Sequence, residues 1–112
     1  MSISMNLYYT GTNGNARKFA EEMERSGTAA AIRSEAGNLR YDYFYPANDP
    51  ETVLLIDIWE DQHALDVHHA TGMMGKIVEL RDKYHLRVRA ERYLSDEGGI
   101  SAADAKFTQT KT

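Results

Sequence analysis

The chain has 112 residues, 42% of them hydrophobic and 27% charged, with a net charge of −4 and a pI near 5.5. That length accommodates one domain with one core, and an acidic balance with scattered basic residues argues against a nucleic-acid partner. There is no cysteine, which excludes disulfides and thiolate metal sites.

Met1 to Thr10 carries neither a basic region nor a long apolar stretch, so no signal peptide is expected. The longest apolar run, Val53 to Ile56 with Ile58 and Trp59 just beyond, has the length of a strand and not of a membrane span. A cytoplasmic protein with no membrane partner is the expectation.

In chain order, Met5 to Thr10 reads as a first strand, with Leu7, Tyr8 and Tyr9 favouring extended backbone. Gly11, Asn13, Gly14 and Asn15 make a turn in which an asparagine is the expected cap of the next helix. On that helix Phe19 and Met23 share one face, while Arg17, Lys18, Glu21, Glu22 and Glu24 fill the wet one. Ser26 and Gly27 interrupt it, and Thr28 is the expected cap of a second stretch, Ala29 to Ser34, ended by Gly37.

Leu39 to Tyr45 alternates as a strand should, with Leu39, Tyr41, Tyr43 and Tyr45 opposed to Arg40, Asp42 and Phe44. Pro46, Asn48, Asp49 and Pro50 turn it into Thr52 to Trp59, which is apolar on both faces and therefore central. So short a connection makes the pair antiparallel. Asp61 is the expected N-cap of a helix to about His69, Thr71 and Gly72 allow a break, and Met73 to Tyr84 continues as a helix. Leu86, Val88 and Ala90 alternate with Arg87, Arg89 and Glu91 in a last strand. After Leu94 the composition is small and polar, with Phe107 the one strong anchor.

The order β-α-β-β-α-β predicts an α+β, ferredoxin-like domain over residues 1–94, with a four-stranded antiparallel sheet. Helices on one face leave the other bare. Its apolar and aromatic residues point to a second copy, giving a homodimer. Residues 95–112 are expected as a tail packed on the domain or on the partner.

Three segments carry a resemblance. Ile32-Arg33-Ser34-Glu35-Ala36-Gly37-Asn38-Leu39-Arg40-Tyr41 resembles the "sR-x-E-x-G-x-L-x-Y" entry to the second strand of the antibiotic biosynthesis monooxygenase family. Asp57-Ile58-Trp59-Glu60-Asp61-Gln62-His63-Ala64-Leu65-Asp66-Val67-His68 resembles its "E-x-W-x-x-x-x-A-L-x-x-H" signature. Gly99 to Phe107 is similar to its common ending "x-I-P-x-x-D-x-x-F". The resemblance spans about residues 5–107 and implies a dimeric α+β barrel. It also implies a monooxygenase that uses dioxygen on small quinol- or anthrone-like aromatics, with no metal, flavin or other cofactor. Such a site must bind a flat apolar ring, remove a proton and exclude water. A non-catalytic ligand-binding or stress-response protein built on the same barrel is the alternative.

The resemblance makes Trp59 a pocket-lining residue, against the plainer reading of a core or dimer anchor. His68 is the candidate base, since imidazole titrates near neutrality, or else a group that fixes a helix end. Asp57 shares a strand face with Trp59 and either orients His68 or pairs with Arg87 or Arg89 across the sheet. Tyr41 and Tyr43 are candidate substrate-binding phenols, or packing residues. Leu55 and Leu65 stand where the family's anthrone-oxidising enzyme has an asparagine and a tyrosine, so the polar groups around a substrate differ here. Heme chemistry is not expected, because the position of that branch's ligand histidine is Val78. His63, His68, His69 and His85 do not converge on a helix, so no metal site is expected. The Gly11–Asn15 loop is loosely similar to the phosphate loop of flavodoxins, but a strand hairpin at 39–59 contradicts that fold and the loop is read as a turn.

Overall fold

A computed structural model of the chain describes residues 1–108. Nine elements follow one another: β1 (Ile3–Thr10), α1 (Asn15–Arg25), α2 (Thr28–Arg33), β2 (Asn38–Phe44), β3 (Thr52–Trp59), α3 (Gln62–His69), α4 (Met73–Lys83), β4 (Arg87–Leu94) and the single turn α5 (Ala102–Ala105). The strands form one antiparallel sheet in the order β2-β3-β1-β4. This is the α+β, ferredoxin-like arrangement expected from the element order.

Strand register decides which residues meet. Tyr9 pairs with Val53, Leu7 with Leu55, Met5 with Asp57 and Ile3 with Trp59, so these residues share the face covered by helices. That face supplies the core: Ile3, Tyr9, Tyr41, Val53, Leu55 and Trp59 from the sheet meet Ala16, Phe19, Ala20, Met23, Ala29, Ile32, Leu65 and Ile77 from the helices. Trp59, Phe19, Met23 and Val53 are fully enclosed. At about 25 cal/mol per Å² such side chains contribute roughly 1.5–3 kcal/mol each. The strand phase that periodicity alone left open is thereby fixed: Trp59 faces the helices.

The other face carries Leu54, Ile56 and Ile58, half-buried, beside Tyr8 and Phe44. It is flanked by the pairs Arg40–Asp42 and Arg89–Glu91. The helix layer does not reach over β4, whose Val88 and Leu94 stay 40% and 55% exposed although they lie on the core side.

Local capping differs from expectation at α1 and α2. No asparagine or threonine side chain caps either helix; Gly14 and Gly27 precede them in the left-handed region, at φ 74° and 82°. The chain reverses so sharply there that only a residue without Cβ enters without strain. Asp61 caps α3 as expected, accepting from the Ala64 N–H at 2.9 Å. Leu39 is an extra residue opposite β3, because the register slips between Asn38 and Arg40, and it is 59% exposed. The tail has little hold on the domain: Ser95 bonds Ser2, but Ile100 and Phe107 are 67% and 89% exposed. Residues 109–112 of the expected tail lie outside the described residues.

Candidate functional site

The site begins at the bulge that opens β2. Gly37 sits at φ 83°, and a Cβ there would lie 2.5 Å from the Ala64 Cβ, so only glycine lets this loop touch the start of α3. Its carbonyl accepts from the Glu60 N–H at 2.8 Å. The contact brings Glu35 and Asn38, on either side of Gly37, against the end of β3 and the inner face of α3.

Glu35 there holds His68. Both of its carboxylate oxygens lie 3.0 and 3.1 Å from His68 Nδ1, and the imidazole is only 3% exposed. A carboxylate has no proton to give, so Nδ1 carries the hydrogen and donates it. In the neutral imidazole the lone pair is then on Nε2, the tautomer required of a base acting from that nitrogen. The ring stacks on the Trp59 indole with centroids 4.7 Å apart and planes 25° off parallel. Position and tautomer of His68 are both set by named partners.

Asp57 stands beside this pair. It is 5% exposed, and Asn38 Nδ2 donates to it at 3.4 Å. Burial pushes its pKa up to about 7, and the Glu35 charge adds to the rise, while Asn38 and the nearby Trp59 N–H hold it back in part. The indole N–H comes near this carboxylate but is outside hydrogen-bond geometry, and the buried nitrogen has no partner among the described residues. At neutral pH Asp57 is therefore divided between its acid and its anion. Neither sequence reading of Asp57 describes its partners. Arg87 and Arg89 pair with Thr10 and Tyr8 on the opposite sheet face, where Arg89 covers the Tyr8 ring at 4.2 Å and bonds Glu91. His68 is oriented by Glu35, not by Asp57.

Leu7, Tyr9, Tyr41, Leu55, Asp57, His68, Met74 and Ile77 enclose, with His69, a cavity of about 50 Å³ between the sheet and α3–α4. It brings two buried titratable groups, Asp57 and His68, against apolar walls. Of the sequence candidates, Tyr41, Leu55, Asp57 and His68 line it. Trp59 backs it through the stack on His68, and Leu65 is buried without lining it. Tyr43 lies one step outward, its hydroxyl 3.1 Å from that of Tyr41. Burial raises both phenols above their ordinary range, so they stay protonated at neutral pH. A wider groove of about 730 Å³ runs between α1 and β2, lined by Ala20, Tyr43, Phe44, Tyr45 and the charges of Glu21, Glu24 and Arg25. It is larger, but it is open, and the charged side chains that line it are exposed.

Sequence reasoning passed over Glu35, Asn38 and Tyr9. Glu35 was within reach, since it occupies the acidic position of the "R-x-E-x-G" segment. Asn38 and Tyr9 carry no signal beyond ordinary strand residues. The loop at Gly11–Asn15 is a turn whose anion-facing groups are already taken: Glu51 accepts from Gly14 N–H through its carboxylate and from Gly11 N–H through its carbonyl, each at 3.1 Å.

Comparison with known proteins agrees with this architecture. No curated protein sequence shows significant similarity to the chain. Among solved structures, a Deinococcus radiodurans protein provisionally assigned to the antibiotic biosynthesis monooxygenases superposes with a TM-score of 0.73 and 19% identity, over 87% of this chain and 94% of that one. SnoaB, a cofactor-independent oxygenase from Streptomyces nogalater, gives 0.71 and 14%, over 86% and 94%. A Bacteroides thetaiotaomicron protein of unknown function, described as a possible oxidoreductase, gives 0.72 and 18%, over 82% and 95%. At such identities the likeness speaks to the fold alone. The family pattern of the antibiotic biosynthesis monooxygenases, however, matches residues 2–80, well over half of the sequence. The chain belongs to the antibiotic biosynthesis monooxygenase family.

Proposed function

We propose that the protein is a cofactor-independent monooxygenase that oxidises a small quinol- or anthrone-like aromatic with dioxygen. The observation that carries this reading is the buried His68, fixed by Glu35 and stacked on Trp59, in a cavity that it shares with Asp57. A phenol or enol bound there loses its proton to Nε2. The imidazolium that forms is stabilised by the Glu35 carboxylate at the other nitrogen. The electron-rich substrate anion then reduces dioxygen; one oxygen atom ends as a carbonyl on the ring, replacing two hydrogens, and the other leaves as water. Asp57, protonated in part at neutral pH, is placed to return a proton to the departing oxygen.

A cavity of about 50 Å³ holds a water or two and not an aromatic ring. Substrate entry therefore displaces the side chain of Met74, which together with Ile77 closes the α4 side. Methionine is suited to that, with several rotatable bonds and no polar group to strand.

The replacement of polar groups by Leu55 and Leu65 favours a second reading, a binding protein without turnover. Oxygen uptake with a panel of dihydroxynaphthalenes and anthrones separates the two. The monooxygenase consumes oxygen without added flavin or metal; a protein that binds these compounds yet uses no oxygen with any of them is the binding module.

The same reading includes assembly. Leu54, Ile56 and Ile58, with Phe44 37% exposed at the sheet's edge, form an apolar strip on the uncovered face that a second copy would bury. The exposed tail beyond Leu94 would then lie on the partner and not on its own domain. Light scattering is expected to give about twice 12.7 kDa; a monomer at micromolar concentration would remove the dimer from the proposal. A cytoplasmic location belongs to the proposal too. Among the described residues, no helix is long and apolar enough to cross a membrane.

A further inference from the structure

We propose that Tyr9 is a substrate-binding residue of this site, its hydroxyl donating a hydrogen bond to a ring oxygen of the bound aromatic. The inference rests on the reading of the cavity above, and it adds a residue from β1 that neither the family signature nor strand periodicity marks.

Tyr9 is 3% exposed and lines the cavity together with Asp57 and His68. Its ring packs on Phe19, with centroids 4.7 Å apart. The other two core tyrosines satisfy each other, Tyr41 and Tyr43 bonding hydroxyl to hydroxyl at 3.1 Å. The Tyr9 hydroxyl bonds none of the described residues and is not fully enclosed, the enclosed unpartnered side-chain atoms being those of Arg17 and Trp59, so the phenol keeps an open side. The open space that Tyr9 borders is the cavity. Burial, and then the Asp57 charge, raise its pKa above the ordinary phenol range, so at neutral pH it remains a donor. A donor on the wall of a cavity that also holds a base is the arrangement that stabilises an oxygen gaining charge as a proton leaves.

Tyr9→Phe tests this, read by binding and not by turnover. The probes are 1,4-naphthoquinone, with two carbonyl acceptors, and naphthalene, with none; binding is followed by quenching of Trp59, the only tryptophan in the chain. Absence of cysteine keeps thiol addition to the quinone out of the measurement. Wild type should bind the quinone more tightly than naphthalene. Tyr9→Phe should raise Kd for the quinone by about 3- to 10-fold, the worth of one hydrogen bond, and leave naphthalene and the Tm unchanged. An unchanged quinone Kd, a wild type without preference for the quinone, or a Tm fall of more than about 5 °C would each overturn the assignment. Because no oxygen chemistry enters, the expected binding result together with absent oxygen uptake would sink the monooxygenase reading and leave Tyr9 in place.

Discussion

His68→Gln is expected to lower turnover by about 10²- to 10⁴-fold, the usual worth of a positioned proton acceptor, while the protein stays folded. Glutamine is the informative replacement because of what His68 touches. Its amide N–H can still donate to Glu35, which keeps that part-buried carboxylate paired, and its length fills much of the imidazole's space against Trp59. It has no basic nitrogen. His68→Ala removes the base as well, but it also strands Glu35 and opens a void beside the indole, at a cost of about 2–4 kcal/mol. A loss of activity in alanine alone would therefore not separate chemistry from folding. Oxygen uptake per folded molecule, with Tm recorded beside it, makes the distinction. If His68→Gln keeps wild-type turnover, His68 serves the fold, and the proton must be taken by Asp57, the cavity carboxyl whose pKa burial pushes up to about 7.

The His68 environment also shows what a sequence can and cannot disclose. Element order, the central place of Thr52–Trp59 and the Asp61 cap all follow from local pattern, since capping and alternation are decided by residues near in sequence. The face on which Trp59 lies does not: Leu54, Ile56 and Ile58 are as apolar as Val53, Leu55 and Trp59, and only packing against α1 and α3 breaks the tie. Partnerships over long separations were equally hidden. Glu35 reaches His68 across 33 positions, through a bulge at Leu39 and a contact that depends on Gly37 lacking a Cβ. Asp57 meets Asn38 and not an arginine, because register puts Arg87 and Arg89 on the opposite face. Charge complementarity in the sequence suggests partners, but the pleat decides which of them share a face.

Trp59→Ala is expected to destabilise the domain by about 3–5 kcal/mol, against the roughly 5–15 kcal/mol that a domain ordinarily has in hand. The indole is fully enclosed at the end of β3, and its removal deletes the surface on which His68 stacks. A fall in Tm of about 10–20 °C should accompany it, and turnover per folded molecule should drop as well, because the imidazole loses one of its two constraints. Trp59→Phe separates these contributions. Among the described residues the indole nitrogen has no hydrogen-bond partner, so phenylalanine gives up none of those bonds and retains an aromatic face for His68; it should keep most of the stability and a substantial part of the activity. Differential scanning calorimetry beside oxygen uptake reads both. A Trp59→Ala protein that melts within about 3 °C of wild type would mean that the β3–α3 junction is not the rigid wall described for the cavity, and the stacked geometry of His68 would lose its place in the mechanism.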